Sequence, residues 1–396
     1  MGGGKILVMT SSFKRFRGDG DPDFVFNLVE YLSKKFDHIV LAPSFFGAGE
    51  RSLDVIYPVF LFRYCIRFCE NLAYDGGIPS KLKKNKAYVI LVPFFVFSQF
   101  VYGFLLVLSR PVSIIHAHWV IPQGVVAVSI SKIVAILTKK RIKVVITIHG
   151  SDFFRMNSGI IRALKLYVLS QADVVTVVSS HLKSEILNMT PLKSLVVAPM
   201  GVDMREFDSP VVCRQETEII FVGRLIKQKG VSYLIDAVSA LRPRYPSITL
   251  RVYGGGPEEA NLRAQANKLG MAGSILFEGF QPSAVISKSF KRAALCVVPS
   301  IGEEGLGLVP IEAMASGCPV IASEYGAISD IIVDRVSGRL VIPESSLALE
   351  VAIDELLEGE DFRELLSENG RLAVREKYSW DACAERYENI YDQLLT

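Results

Sequence analysis

Short β-branched runs alternate with longer amphipathic runs along this chain, and the alternation stops once and then resumes. "KILVMT" reads as a strand, Asp23–Phe36 as a helix and "HIVLA" as a second strand. "VSIIHAH", a helix after Gln123, "KVVITIH", a helix near Ile160–Leu169, "DVVTVVS" and "SLVVAP" continue the pattern. Parallel strands need a crossover connection, usually a helix, so this rhythm predicts a parallel, doubly wound sheet. From about Met204 to Glu218 the chain is polar and loosely patterned. The rhythm then restarts with "EIIFVGR", a helix over Val231–Leu241, "TLRVYGG", a helix over Glu258–Leu269, "SILFEG", "LCVVPS", a helix over Val309–Ser316 and "PVIAS". The predicted fold is therefore α/β with two Rossmann-like domains, residues 1–205 and 206–379, and a final helix, 380–396, that packs back on the first. A chain of 396 residues is long enough to give each half its own core.

Composition excludes some partners. A net charge of +3 is too small to argue for nucleic acid. The 6 cysteines have no zinc-ribbon spacing; Cys65 and Cys69 are the only close pair, and buried thiols in a reducing, cytoplasmic compartment are expected. "KILVMT" is too short for a signal-peptide core, and Lys14, Arg15 and Arg17 follow it closely.

The stretch "RGDGDPDFVFNLVE" (Arg17 to Glu30) imitates a calcium loop, with Asp19, Asp21 and Asp23 alternating and Glu30 in the twelfth place. An EF-hand loop follows a helix and has glycine at its sixth position; here a strand precedes it and Phe24 stands sixth. The better reading is a loop joining the first strand to the first helix, with Pro22 in a turn, Asp23 as N-cap, and Phe24, Leu28 and Leu32 as an apolar stripe. Gly18 and Gly20 then let a ligand approach the backbone, and no metal site is expected.

Three motifs carry the chemistry. In "GEEGLGLVPIEAMASGCPVIAS", Glu304 and Glu312 are separated by seven residues that include Gly305 and Gly307, with a helix beginning near Val309. A helix start offers free N–H donors and a positive dipole end, and a carboxylate in its first turn suits a ribose diol. In "FVGRLIKQKG", Arg224 and Lys229 bracket a turn directly after a strand, a planar fork and a point charge suited to a diphosphate. In "IIHAHW" and "TIHGSD", His116, His118 and His149 close two strands, in the half opposite the cations.

Together these residues give the chain a resemblance to the retaining family-4 glycosyltransferases of the GT-B fold, of the bacterial envelope polysaccharide type. The resemblance covers nearly the whole chain: the glycine-bearing first loop, the strand-end histidines, "FVGRL", "QKG", "YGGGPEE" and the paired glutamates. It implies two Rossmann-like domains facing a cleft and a metal-independent enzyme without cofactor. Its donor would be a UDP- or GDP-sugar and its acceptor a glycan, a lipid-linked molecule or a small molecule. By resemblance, Arg224 and Lys229 hold the diphosphate and Glu312 takes the ribose hydroxyls. Glu304, with the backbone of Gly305, Leu306, Gly307 and Leu308, holds the donor sugar. His118 lies near the reacting sugar, and His149 with the Gly18–Gly20 loop completes the donor site. Gly255, Phe280 and Gln281 border the nucleotide. The family often has adjacent glycines in the first loop, whereas here Asp19 separates them.

Alternative readings are a sugar-nucleotide epimerase on a similar frame and a non-catalytic partner subunit; the first would lack the paired-glutamate helix start and the second would have lost Arg224, Lys229 or Glu312. Finally, Ala87 to Ser109 carries no charged residue and is long enough to span a bilayer. Strands of one predicted sheet lie before and after it, which rules out a single crossing. It is expected either to be a helix buried against the first sheet or to lie in the plane of an anionic membrane surface. Lys81, Lys83, Lys84, Lys86 and Arg110 flank it, as docking on the inner face of a membrane would require.

Overall fold

The computed structural model describes residues 4–16, 19, 23–46, 55–150, 153, 159–207, 214–302 and 306–396. The chain divides into two compact units. The first comprises Met1–Val178, Leu182–Gly201 and Cys383–Thr396; the second comprises Ser179–His181 and Val202–Ala382.

In the first unit, strands β1 (Lys5–Met9), β2 (His38–Pro43), β3 (Val59–Phe62), β4 (Val112–His118), β5 (Lys143–Ile148), β6 (Val174–Val177) and β7 (Leu195–Val197) form one sheet in the order β3-β2-β1-β4-β5-β6-β7. Every neighbouring pair is parallel. In the second unit, β8 (Glu218–Val222), β9 (Thr249–Tyr253), β10 (Ile275–Gly279), β11 (Leu295–Val298), β12 (Val320–Ser323) and β13 (Arg339–Val341) repeat the plan, in the order β10-β9-β8-β11-β12-β13. These pairs are also parallel. Strand order reverses between β1 and β4 in one sheet and between β8 and β11 in the other. The carboxyl ends of those strands are where doubly wound sheets bind ligands.

The strands read as continuous apolar runs because both faces are covered. Ile219, Leu295 and Val297 face one core cluster of the second unit, and Ile220, Cys296 and Val298 face the other. This is the period-two alternation of a strand, with each fully buried Leu, Ile or Val side chain stabilising by about 1.5–3 kcal/mol.

The first helix, Phe24–Leu32, is shorter than expected. Its buried face is Val25, Leu28, Val29 and Leu32. Phe24 leaves the anticipated stripe and stands against His149, ring centroids 4.6 Å apart. The helix Leu91–Ser109 connects β3 to β4 and lays Phe95, Gln99, Gly103, Leu106 and Val107 inward. A Cβ on Gly103 would come within 2.9 Å of Ile130, so glycine lets this helix pack closely. The last helix, Trp380–Leu395, buries Tyr387 and Tyr391 in the first unit: Tyr387 Oη is 3.2 Å from Thr147 Oγ1, and Tyr391 Oη is 2.6 Å from His116 Nδ1. Cys296 and Cys318 are buried thiols, whereas Cys65 and Cys69 are only half-buried.

Candidate active site

In the first unit the three strand-end histidines come together. His116 is the fifth residue of β4, with Nδ1 on Tyr391 and Nε2 2.7 Å from Thr147 Oγ1. His118 ends the strand and is fully buried, with Nδ1 3.1 Å from His149 Nε2. Its own Nε2 is buried and has no hydrogen-bond partner among the described residues. Burial holds all three rings neutral. It lowers His116 and His149 to about 3, with His38 and His149 adding repulsion at His116. It lowers His118 well below the ordinary imidazole value, with His116 and His149 adding to the effect.

The backbone turns sharply here. Trp119 has φ +74°, a left-handed conformation that a bulky residue rarely adopts. Its indole lies tilted against His149, centroids 5.0 Å apart, and meets Phe24 at 5.9 Å. The buried Gln123 amide, in the orientation that satisfies both of its groups, donates to the His118 carbonyl and accepts from the Ser11 N–H, 3.2 Å each. It thereby ties the loop after β4 to the loop after β1.

The first loop is organised by charge. The Asp19 carboxylate has no solvent exposure and accepts from Arg15 Nε at 2.9 Å, Arg15 Nη2 at 2.7 Å and the Arg15 backbone N–H at 2.8 Å. Asp23 stands at the N-cap position of the helix Phe24–Leu32, but its side chain caps no backbone N–H. Its carboxylate is instead drawn to Lys14 at 3.2 Å and to the Asn27 amide at 3.0 Å. Gly18 and Gly20 lie outside the described residues.

In the second unit the cationic turn and the glutamate-bearing helix share one neighbourhood. Lys227–Lys229 forms a single tight turn ending at Gly230, where φ is +64° and a Cβ would lie 1.9 Å from the Pro299 carbonyl oxygen. The Ile301 N–H donates to Gln228 O at 2.8 Å. The loop after β8 therefore packs directly on the loop after β11. Arg224 is exposed and makes no ion pair among the described residues, and Lys229 is half-buried. Gly254, with φ +121°, sits where a Cβ would be 2.0 Å from the Gly223 carbonyl oxygen, which explains why "YGGG" follows β9. Gly255 lies beneath the exposed ring of Phe280, where a Cβ would be 2.8 Å from the ring. Gln281 donates to Glu278 O at 3.0 Å.

Glu304 and Gly305 lie outside the described residues. The following helix, Leu308–Ala315, starts after Gly307, whose φ is +74°. Glu312 is thus its fifth residue, in the second turn rather than the first, because the helix begins one residue earlier than the periodicity suggested. It is half-buried. Leu306 and Leu308 stand on either side of Gly307, and Leu308 is exposed.

A family model described as Glycosyltransferase Family 4 matches residues 23–206, and one described as Glycosyl transferases group 1 matches residues 205–373. An uncharacterized glycosyltransferase of Methanocaldococcus jannaschii is 32% identical over 272 residues, 63% of this chain and 69% of the relative. The chain belongs to the family-4 glycosyltransferases. A GDP-mannose-dependent alpha-(1-6)-phosphatidylinositol monomannoside mannosyltransferase of Mycobacterium tuberculosis is 28% identical, over 62% of this chain and 68% of that protein. The solved structure of a Rickettsia africae glycosyltransferase shares the fold over 100% of both chains, with a TM-score of 0.76 at 18% identity. Two parallel Rossmann-like sheets in two domains are the GT-B architecture.

In this glycosyltransferase the described candidates follow the carboxyl ends of several strands: His118 at β4, His149 after β5, Arg224 and Lys229 after β8, Gly255 after β9, Phe280 and Gln281 after β10, and Leu306 to Glu312 after β11. Within the first unit the structure joins His118 to His149; within the second it joins the Arg224–Lys229 turn to the loop that leads to Glu312. The sequence reading missed Trp119, Gln123 and Tyr391. "HAHW" held a signal for the first, an aromatic directly after a strand end, but nothing local marks Tyr391 as the partner of a histidine 275 positions away.

Proposed function

We propose that the enzyme is a retaining, metal-independent hexosyltransferase that moves a sugar from a UDP- or GDP-sugar to a glycan or lipid-linked acceptor. One observation carries the reading: the carboxyl ends of the strands bear the Arg224–Lys229 turn and the Glu312 helix in the second unit and the neutral His118–His149 pair in the first. Arg224, Lys229 and the N–H groups that begin the helix Leu308–Ala315 oppose the charge developing on the leaving diphosphate. Glu312 accepts from the ribose hydroxyls. Glu304, with the backbone of Gly305, Leu306, Gly307 and Leu308, holds the donor sugar, while Phe280 over Gly255, beside Gln281, borders the base. His118 offers Nε2 to the reacting sugar with His149 behind it, and the loop bearing Gly18 and Gly20 covers phosphate and acceptor.

Independence from metal is supported by the first loop, where the Asp19 and Asp23 carboxylates are already engaged by Arg15 and Lys14. A cytoplasmic setting accords with the unbridged thiols Cys65, Cys69, Cys296 and Cys318. The mycobacterial relative makes GDP-mannose the first donor to try. The test is a hydrolysis screen across UDP-, GDP- and ADP-sugars in EDTA, with product anomers read by NMR. Turnover of one donor class with retained configuration is expected; inversion, or activity only with Mn²⁺, overturns the reading.

A further inference from the structure

The helix Leu91–Ser109 answers the question of its burial in two ways at once. One face is seated on the sheet, with Phe95 against Phe62 and Gln99 Nε2 donating to Thr10 O at 3.3 Å. The other face is apolar and open: Phe94 is 58% exposed, Phe97 67%, Leu105 57% and Leu108 47%. An outward stripe of this kind is normally polar in a surface helix. The neighbouring helix, Val125–Thr138, adds exposed Ile136 and Leu137. Between the two helices runs an open apolar groove of about 470 Å³, lined by Val92, Val96, Phe97, Phe100, Val125 and Val126.

Charge borders this surface at both ends. Lys83, Lys84 and Lys86 precede the helix and are exposed, whereas Lys81 is drawn to Asp75 at 3.5 Å. Lys139 and Lys140 follow the neighbouring helix and are exposed as well. The groove lies at the amino ends of the two helices, and the second helix begins only a few residues after His118 closes β4. By length and composition the stretches Lys86–Ser109 and Val120–Thr138, which contain these helices, are able to cross a membrane. However, the strands before and after each belong to one sheet, so neither crosses as a single span.

We propose that the outward face of Leu91–Ser109, with the groove beside it, docks on an anionic bilayer and takes lipid hydrocarbon between the two helices. Lysines at the rim meet the headgroups, and a lipid seated in the groove carries its own headgroup toward the end of the sheet where His118 sits. This deepens the lipid-linked acceptor in the proposed function, but the test below uses neither donor nor acceptor and so succeeds or fails separately from it.

The test is co-sedimentation of the full chain with phosphatidylcholine vesicles, with and without phosphatidylglycerol, at low and high salt. Binding to the anionic vesicles, weakened by salt, is the expected result. Lys83→Gln, Lys84→Gln and Lys86→Gln together should weaken it roughly a hundredfold, about fivefold for each charge removed. Phe94→Ser with Phe97→Ser should also release the protein while its circular dichroism is unchanged, since both side chains face outward. No binding to anionic vesicles at low salt overturns the proposal, as does binding that neither variant alters. A dimer in sedimentation velocity that the phenylalanine variant dissociates, with no vesicle binding, would instead assign this face to a second copy of the chain.

Discussion

His118 Nδ1 and His149 Nε2 stand 3.1 Å apart with their rings nearly parallel, at an interplanar angle of 17°. Both imidazoles are neutral, so one ring donates and the other accepts. When His149 donates, His118 carries its proton on Nε2, the buried nitrogen without a partner among the described residues. In the proposed reaction His149 then sets the tautomer that His118 presents to the sugar. Exchanging His118 for Ala should lower turnover on the order of 10²-fold or more while calorimetry finds donor affinity nearly unchanged. His149→Phe keeps the ring but not the hydrogen bond, and should lower kcat with little change in KM; His149→Gln should recover part of the loss. Loss of donor binding with turnover intact in the His118 variant would show the role to be wrong.

Arg224 and Lys229 serve one leaving group in the proposed reaction. Each alanine variant should lose roughly 10²–10³ in kcat, the usual cost of a missing oxyanion donor. The double variant should lose less than the product of the two, because the pair acts as a unit. A fully active double variant is the result that would sink the assignment.

Glu312→Ala should weaken nucleotide binding and activity together. It removes charge-assisted hydrogen bonds worth about 1.5–3 kcal/mol each, so titration calorimetry with the nucleoside diphosphate should show at least a tenfold rise in Kd. Unchanged affinity would remove Glu312 from the ribose.

Activity should persist in EDTA, and Asp19→Asn should not change its response to Mn²⁺ or Ca²⁺. What that variant should lose is the charged end of the arginine fork at a carboxylate position of no solvent exposure, leaving Arg15 with Asp75 at 3.3 Å as its charged partner. Breaking a buried pair from one side costs about 3–5 kcal/mol, here felt mostly as local opening of the loop. Faster hydrogen exchange at the Arg15 amide is the readout, and restoration of the variant by a divalent cation would refute the assignment.

Acid should destabilise the first unit before most carboxylates titrate. His38, His116 and His149 are depressed by burial to about 4, about 3 and about 3. In the unfolded chain each regains an ordinary pKa near 6.5. The unfolded state therefore binds more protons below that value. The stability is fully present above about pH 6.5 and falls as pH drops toward the folded values, by up to about 1.4 kcal/mol per pH unit for each histidine. Urea midpoints measured at pH 7 and pH 5 should differ accordingly, and His116→Gln should flatten the slope by one histidine's share. Equal midpoints would contradict neutral burial.

What was legible in the sequence was whatever is encoded within a short window. "KILVMT", "VSIIHAH" and "EIIFVGR" are apolar because both faces of their sheets are covered, and such runs declare themselves over five or six residues. Glycine after β8 and β9, cations around one turn and a carboxylate just inside a helix are equally local. The edge strands Val59–Phe62 and Arg339–Val341, of four and three residues, went unread. Tertiary structure alone decided the partners. Tyr391 reaches His116 from the other end of the chain, and Phe24 turns from the core stripe to His149. Each depends on where the folded backbone brings distant side chains and on which charges remain uncompensated there, quantities that no local periodicity contains. The same holds for the helix Leu91–Ser109. Its apolar composition is written in the sequence, but only the packing of Phe95, Gln99 and Gly103 on the sheet decides which of its phenylalanines face outward.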